Sequence, residues 1–367
     1  MLDGVVLERR QGVGRGRQAA VFAGSIALGL ALSAGVLVAA GVPAGALFDE
    51  IVVQVFFTAS GLAQTITMAT PMVLLGLSAA LALKHRFWNI GIEGQMILGA
   101  VAATAVAVGG VGGAGMRPAM MLIAAALAGL AWIAVPLVLK AVFEVSEVVV
   151  TLLLSSIAFL GLQHLLFGPM GDPARNFPVS PVIDEVARLP LFGFGDVHAG
   201  LVVALAAALA VAVLVDRSRP GFFGRFVGDN PSAARALGFP VVATTALFVL
   251  LSGALAGLAG GLVIAGTEHR LSQYVALHAT FSGIVVAVLA RYSALGCVVA
   301  AFFVAGVYVA GSTLKVFYGL PEGVILLVQG VVLLTLIGGQ FLALFRVHRE
   351  ARPAPAPALP ASTERAA

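Results

Sequence analysis

Apolar runs of about twenty residues recur along almost the whole chain, and they constrain its fold more than any other feature. Sixty percent of the 367 residues are hydrophobic and 10% are charged, whereas a soluble domain is about half apolar and about a quarter charged. A helix that crosses a bilayer needs about 20 apolar residues. The sequence therefore predicts an all-α fold, a polytopic bundle of transmembrane helices surrounded by membrane lipid.

The number of crossings depends on one awkward stretch. Nine runs have the length of a single span, near residues 19–42, 92–110, 118–139, 148–167, 198–215, 241–266, 275–290, 293–314 and 322–345. Residues 49–83 stay apolar for about 35 residues, too long for one straight span and too short for two with a loop. Pro71 interrupts this stretch. We therefore expect a tenth crossing made by a broken or re-entrant segment.

The basic residues predict the orientation. With ten crossings and both termini in the cytoplasm, 16 of the 21 Lys and Arg lie on the cytoplasmic side. Cytoplasmic loops of membrane proteins carry such an excess of positive charge. Splitting 49–83 into two crossings would move the basic 216–239 loop outside. We therefore expect N- and C-termini in the cytoplasm and a multi-pass protein of the bacterial inner membrane.

The chain divides into a cytoplasmic tail at 1–18, a transmembrane domain at 19–345 and a second tail at 346–367. Four prolines among alanines predict that the second tail is disordered. Arg9-Arg10 and the run that follows could be an export signal. However, residues 19–42 exceed the 7 to 15 apolar residues of such signals, so we favour a membrane anchor.

Catalytic and metal chemistry finds no support in the sequence. No GxxxxGK[ST] phosphate loop is present, and Cys297 is a lone cysteine. The six histidines have no metal-ligand spacing, and no Ser/His/acid constellation can be argued from them. A net charge of +4, scattered along the chain, gives no reason to expect nucleic-acid binding. We expect no catalytic residue, no metal and no cofactor.

Polar side chains inside or at the ends of the spans are candidates for a solute pathway, because such placement is costly and tends to be functional. Several open a span just after cytoplasmic basic residues, at helical spacing. An ordinary capped and packed helix start would look the same. The candidates are Asn89, Glu93, Gln95, Glu147, Thr151, Ser155 and Gln329.

Two further patterns concern packing and loops. Gly253, Gly257 and Gly261 recur every fourth residue, which predicts close helix packing within the bundle or at a dimer interface.

The outer loop 168–197 is rich in Pro and Gly and has more acidic than basic residues. It could dock an external binding protein or be a plain solvated connector.

The cytoplasmic loop 216–239 contains the signals of a short helix. Asp229 or Asn230 is suited to the N-cap, Pro231 to the first helical position and Gly238 to the C-terminal stop. These signals predict a two-turn helix between two spans.

Four conspicuous segments are NIGIEGQMILGA (89–100), LKAVFEVSEVVVTLLL (139–154), GRFVGDNPSAARALGF (224–239) and FSGIVVAVLARYSALG (281–296). They resemble the permeases of bacterial ABC importers for nucleosides and simple sugars, the binding-protein-dependent systems of the branched-chain and ribose type. The extra leading span is similar to that of the longer permease in paired nucleoside systems. Where this family commonly has Asn, this chain has Ser146 and Ser155. That departure leaves the solute open.

The resemblance implies a permease subunit that is not itself an enzyme. Its partners would be a second homologous permease subunit, cytoplasmic ABC ATPase subunits and an external solute-binding protein. The short helix of the cytoplasmic loop would couple the permease to the ATPase, although an inert connector would be equally short. The residues implied in this coupling are Gly228, Asn230, Pro231, Ala233, Ala234, Arg235 and Gly238.

An ion-coupled secondary transporter or channel is the alternative from another class. Such a carrier would be expected to have acid or base residues near the middle of its spans. Almost all charges in this sequence lie at span ends instead. A membrane-embedded enzyme is a third possibility, and it lacks any convergent catalytic group.

Overall fold

The computed structural model describes residues 5–9, 15–113, 115–175, 177–276 and 279–349. Within these residues the chain is almost entirely helical. The α-helices are α1 (Arg15–Ala39), α2 (Gln54–Phe56), α3 (Ala59–Lys84), α4 (Ile92–Val108), α5 (Arg117–Phe143), α6 (Glu147–Leu166), α7 (Gly200–Arg217), α8 (Arg219–Asp229), α9 (Pro231–Ala236), α10 (Val241–Val263), α11 (Ala279–Leu289), α12 (Ala294–Tyr318) and α13 (Glu322–Leu344). Two π-helical turns, Asp49–Val53 and Ile264–Glu268, precede α2 and extend α10. A 3₁₀ turn lies at Glu185–Ala187.

The prediction of a helical membrane bundle is confirmed. Seven helices in the described residues are long and apolar enough to cross a membrane, and Ala23–Ala39 and Ile92–Val108 are shorter apolar helices. A helix lies at each of the ten positions that the sequence indicated. Buried residues make up 72% of the apolar windows of α3 and α10 but 17% of that of α6. The first two therefore form the interior, whereas α6 lies at the periphery.

The break in the second apolar stretch lies elsewhere than predicted. The chain interrupts its helix at Phe57 and Thr58, and Thr58 caps α3 by accepting a hydrogen bond from the Gly61 amide at 3.1 Å. Helix α3 then continues through Pro71. Proline removes one helical hydrogen bond, a loss that a membrane helix tolerates where the freed carbonyl meets another polar group or lines a cavity. Pro71 was therefore the wrong choice for the break.

Glycines allow α10 to pack closely against α4 and α5, as the four-residue stripe predicted. A Cβ atom at Gly257 would overlap the carbonyl oxygen of Ala125 in α5, and one at Gly260 would overlap that of Met96 in α4. Gly99 of α4 in turn lies against the backbone of Gly257. The glycine stripe therefore permits close contact between helices inside this bundle.

Two short strands join the ends of the described chain. β1 (Val5–Arg9) pairs with β2 (Phe345–Arg349) in an antiparallel ribbon, with Val5 opposite Arg349. Residues 346–349, which were expected in a disordered tail, belong to this ribbon instead. Backbone pairing, which a residue pattern near the chain end does not reveal, orders these residues. The rest of the predicted tail, residues 350–367, lies outside the described residues.

Candidate functional site

Asn89 and Gln95 form the centre of a buried polar network at one end of the bundle. The Asn89 side-chain amide donates to Gln95 Oε1 at 3.0 Å and to Ser252 Oγ at 3.2 Å. Ser252 Oγ lies 3.0 Å from Ser78 Oγ. The network joins α3, the α3–α4 connection, α4 and α10, and all four side chains are buried. These amides hold helices together, because their polar atoms are engaged by the protein.

The start of α4 packs against α6 at two predicted residues. The Gly94 amide donates to Ser155 Oγ at 3.3 Å. A Cβ at Gly91 would lie 2.9 Å from Thr151, so only glycine fits there without movement. Thr151 Oγ1 donates to the Glu147 carbonyl at 2.7 Å. Glu93 lies half-buried in the first turn of α4.

Glu147 forms an ion pair with Lys140 across the connection between α5 and α6. Lys140 Nζ lies 2.5 Å from Glu147 Oε1, and this oxygen also accepts from the Trp88 amide at 3.4 Å. Lys140 lies over the ring of Phe87, with Nζ 5.2 Å from the ring centroid. The pair therefore ties this connection to the loop before α4. Gln329 lies on α13, where its side chain contacts Gly311 of α12.

A cavity of about 410 Å³, here called the outer cavity, opens between α3, the π-turn Ile264–Glu268, α11 and α12. Among the described residues that line it, none of the seven predicted pathway residues occurs. Its polar lining comes from Gln64, Thr67, Asp196, Thr267, Glu268, Tyr274, Ser282 and Ser312.

Sequence reasoning missed this cavity because most of its polar groups are single uncharged residues within apolar runs. Pro71, in the middle of one such run, also lines the cavity. It is the signal that could have indicated the site.

The loop 168–197, which the sequence predicted to lie outside, is hydrogen-bonded to the segment that follows α10. The Leu189 amide donates to the Ala265 carbonyl, and the Ile183 amide to the His269 carbonyl, each at 2.8 Å. The Ser180 amide donates to the Leu271 carbonyl at 2.9 Å. The loop is therefore fixed along the π-turn, and its Asp196 reaches the outer cavity.

His198 lies under the same π-turn. Its Nδ1 accepts a hydrogen bond from the Gly200 amide at 3.1 Å, which leaves the hydrogen of the neutral ring on Nε2. The ring packs on Gly266, where a Cβ would overlap it. Burial lowers the pKa of His198, and the neighbouring His269 lowers it further. The ring is thus held neutral.

The loop 216–239 contains two helices where the sequence predicted one. In α9, Asn230 is the N-cap, and its Oδ1 accepts from the Ser232 and Ala233 amides at 3.1 Å each. Pro231 begins the helix, and Gly238 follows it with a φ of +78°. The predicted capping is confirmed, with Asn230 rather than Asp229 in that role.

Helix α8 precedes α9 and was not predicted; it contains Pro220 and three glycines, residues that disfavour a helix interior. These glycines are contact points. Gly224 approaches the ring of Phe248, and a Cβ at Gly228 would overlap the Lys84 carbonyl. Arg86 donates from Nε to the Gly228 carbonyl at 2.8 Å. The loop is thereby clamped to the end of α3.

Ala234 and Ala233 have opposite environments. Ala234 is buried, with 1% of its surface exposed, whereas Ala233 and Arg235 are exposed. Ala233 is therefore accessible to a partner in this structure, whereas Ala234 is not. Ala234 lies on a different face of α9 from Ala233 and Arg235, and that face packs against the rest of the chain.

Comparison with known proteins places the chain in a family. A family model described as branched-chain amino acid transport system / permease component matches residues 61–337. The glucose ABC transporter permease protein TsgB13 of Haloferax volcanii is 37% identical over 330 residues, covering 86% of this chain and 86% of that protein. The guanosine ABC transporter permease protein NupP of Bacillus subtilis is 31% identical over 317 residues, covering 84% and 90%.

A solved structure of a metal-chelate type ABC transporter in an inward-facing conformation has a TM-score of 0.46 at 17% identity, covering 88% of this chain and 98% of that one.

These matches agree with the resemblance found in the sequence. The chain is a multi-pass protein of the plasma membrane, and as a permease it is not an enzyme, since ATP hydrolysis belongs to a separate ATPase subunit. An ATPase and a solute-binding protein are the partners that this kind of permease implies. Because the family model covers most of its length, the chain belongs to the ABC transporter permeases of the branched-chain amino acid transport system / permease component family.

Proposed function

We propose that this chain forms one half of the translocation path of an ABC importer for a nucleoside or a simple sugar. The observation that carries this proposal is the outer cavity. Its volume of about 410 Å³ lies within the range of small-molecule sites. Its polar groups are hydroxyls, one amide and two carboxylates, which suit a neutral solute with many hydroxyl groups.

The cavity lining also bears on the alternative of a branched-chain amino acid, which the family description includes. An amino acid carries a carboxylate that needs a cationic or strongly donating partner when it leaves water. Among the described residues that line the outer cavity, no Lys or Arg occurs, and Asp196 and Glu268 would repel a carboxylate. Relatives named for guanosine and glucose point in the same direction.

The topology of the proposal is ten crossings with both termini in the cytoplasm. Pairing of β1 with β2 supports it, because the two ends of the chain meet and an even number of crossings is then required. The arginine asymmetry of the sequence supports the cytoplasmic side for these ends.

The predicted pathway residues at the start of α4 and α6 enter the proposal as positioning groups for the inner end of the path. Asn89 and Gln95 bond to each other, and Ser155 bonds to Gly94. Glu93, Glu147, Thr151 and Gln329 lie on the same helices or on α13.

Exposed residues on loops 216–239 and 168–197 are the proposed contact surfaces for the partner proteins. On the cytoplasmic side, Ala233 and Arg235 of α9 offer a small and a cationic side chain to an ATPase with an acidic rim. On the outer loop, Phe177, Phe192, Asp184 and Glu185 are all exposed and would contact the solute-binding protein. A second, homologous permease subunit completes the path.

The experiment is uptake into proteoliposomes that contain this chain, its partner permease and the ATPase, with the binding protein added outside. We expect ATP-dependent uptake of guanosine or glucose and no uptake of leucine. Leucine uptake alone would contradict the solute class. Uptake driven by an ion gradient without the ATPase would favour a secondary transporter instead.

A pair of matched variants tests the coupling surface. Ala233→Glu adds bulk and negative charge to the exposed face of α9, and we expect it to reduce co-purification of the ATPase and the ATP hydrolysis that the loaded binding protein stimulates. Ala174→Glu makes the same change on the exposed outer loop and should leave co-purification of the ATPase unchanged. Normal ATPase association in Ala233→Glu would show that α9 is only a connector.

A further inference from the structure

We propose that Thr67 and Pro71, in the middle of α3, form a hydrogen-bonding subsite for an alcohol hydroxyl of the transported solute. This inference rests on the proposed function, which it deepens by naming the groups that hold the solute within the outer cavity. Both residues line that cavity.

Pro71 leaves a backbone acceptor without its helical donor. In a continuous α-helix the carbonyl of Thr67 would accept from the amide of residue 71. Proline has no amide hydrogen, so this carbonyl has no such partner although α3 runs unbroken from Ala59 to Lys84. An uncompensated carbonyl is costly in a membrane unless it faces a polar cavity. The outer cavity is such a place, since Thr67 borders it.

The hydroxyl of Thr67 is a second unused group at the same position. Thr67 Oγ1 is buried and has no hydrogen-bond partner within the described part of the chain. Two other hydroxyls of the cavity are engaged. Thr267 Oγ1 donates to the Val263 carbonyl at 2.9 Å, and Ser312 Oγ donates to the Val309 carbonyl at 2.9 Å. Buried polar groups are normally paired, so an unpaired one at a cavity wall indicates a missing ligand.

An alcohol hydroxyl of the solute matches both free groups. It can donate its hydrogen to the Thr67 carbonyl and accept a hydrogen bond from Thr67 Oγ1. Gln64 lies one helical turn away on the same wall and can serve a second solute hydroxyl.

The position of the subsite fits a translocation path. Pro71 is the thirteenth of the 26 residues of α3. At a rise of about 1.5 Å per residue it lies about 20 Å from either end of the helix. The two groups therefore lie near the middle of the membrane. A polar solute has no bulk water to bond there, so hydrogen-bonding groups of the protein lower the cost of its passage.

The test uses the reconstituted complex and the amount of solute imported per ATP hydrolysed. Thr67→Val removes the hydroxyl while keeping the shape of the side chain. Thr70→Val is the matched control, since Thr70 Oγ1 is engaged with the Ile66 carbonyl at 2.9 Å on the same helix. Pro71→Ala supplies an amide hydrogen for the Thr67 carbonyl and removes the second half of the subsite.

We expect Thr67→Val and Pro71→Ala to lower guanosine import per ATP by about threefold to tenfold, the effect of one hydrogen bond. Thr70→Val should match the wild type. For at least one of 2′-, 3′- and 5′-deoxyguanosine, the Thr67→Val variant and the wild type should import the same amount per ATP. That analogue would lack the hydroxyl that bonds to Thr67. If glucose is the solute imported, its deoxy analogues take the same place.

Two results would overturn the subsite alone: an unchanged ratio in a Thr67→Val complex that hydrolyses ATP at the wild-type rate, or a loss that persists with every deoxy analogue. A general defect of folding would lower ATP hydrolysis and import together, and the ratio would then stay unchanged. If the wild-type complex imports neither guanosine nor glucose with ATP, the proposed function itself is contradicted, and the subsite with it.

Discussion

Asn89 and Gln95 exchange both of their side-chain amide hydrogen bonds, with Asn89 Nδ2 donating to Gln95 Oε1 at 3.0 Å and Gln95 Nε2 donating to Asn89 Oδ1 at 2.8 Å. Asn89 Oδ1 also accepts from the Gly91 amide at 3.1 Å. The reciprocal pair closes the turn before α4 and connects it to α10 through Ser252. Removing the Asn89 side chain would leave the buried amide of Gln95 without this partner, whereas removing that of Gln95 would leave Asn89 with its bonds to Ser252 and the Gly91 amide.

Asn89→Ala should therefore destabilise the permease. The buried amide of Gln95 would lose its partner, which costs about 1–3 kcal/mol. We expect a lower midpoint of thermal unfolding in detergent, followed by tryptophan fluorescence. Ser156→Ala changes an exposed hydroxyl of α6 and should stay within about 0.5 kcal/mol of the wild type. Equal midpoints for both variants would argue against a structural role for the network.

Gly257→Ala should destabilise the bundle although it adds a single methyl group. The new Cβ would overlap the Ala125 carbonyl, so α5 and α10 must separate, at a cost of about 1–3 kcal/mol. Gly161→Ala is the matched control, because a Cβ there meets nothing within 4 Å. That change should be neutral or stabilising, since alanine favours a helix over glycine. The midpoints of thermal unfolding of the two variants, compared in detergent, check this difference.

Single cysteines should report the topology. Ala174→Cys in the outer loop should react with a membrane-impermeant maleimide in sealed cells, and Ala236→Cys at the end of α9 should react only after permeabilisation. The unmodified chain is the control, since its Cys297 is fully buried and should remain unlabelled. Labelling of Ala236→Cys in sealed cells would rule out ten crossings with cytoplasmic termini.

Acid should weaken the fold through His198. Because burial lowers its pKa in the native state, the unfolded chain binds a proton first as the pH falls below about 6.5. The free energy of unfolding is unaffected by this group above about pH 7 and decreases from about pH 6.5 toward its lowered pKa. The thermal midpoint should drop less between pH 7.5 and 5.5 in His198→Asn than in the wild type.

Part of that dependence should remain in His198→Asn, because burial also lowers the pKa of His269 and Arg188 lowers it further. An identical drop in the variant and the wild type would assign the acid sensitivity to other groups.

The predictable features were those that depend on neighbouring residues in the sequence. The N-cap of α9 follows from Asn230 and Pro231, and the close packing of α10 follows from a four-residue glycine spacing. The position of the helix break, the burial of Ala234 and the helix α8 were not predictable in this way. Each depends on contacts between distant segments, such as that of Gly228 with the Lys84 carbonyl.

The outer cavity could not be predicted from the sequence for the same reason. The pathway residues chosen from the sequence were the conspicuous amides and acids at span ends, and Asn89 and Gln95 turned out to bond to each other. The cavity polar groups come from α3, α11, α12, the outer loop and the segment that follows α10. Their convergence is a property of the tertiary structure, which no spacing within one helix encodes.

Helix α1 packs chiefly against α13, and Ser33 Oγ bonds to the Val328 carbonyl, 295 residues further along the chain. A ribosome adds about 5 to 20 residues per second, so α1 spends about 15 to 60 s in the membrane before its partner is made. During that interval Leu37, which is buried in the finished protein, must be covered by lipid or by an insertion factor. Packing of α1 is therefore a late event of biosynthesis. A chain truncated before α13 would lack the main packing partner of its first helix.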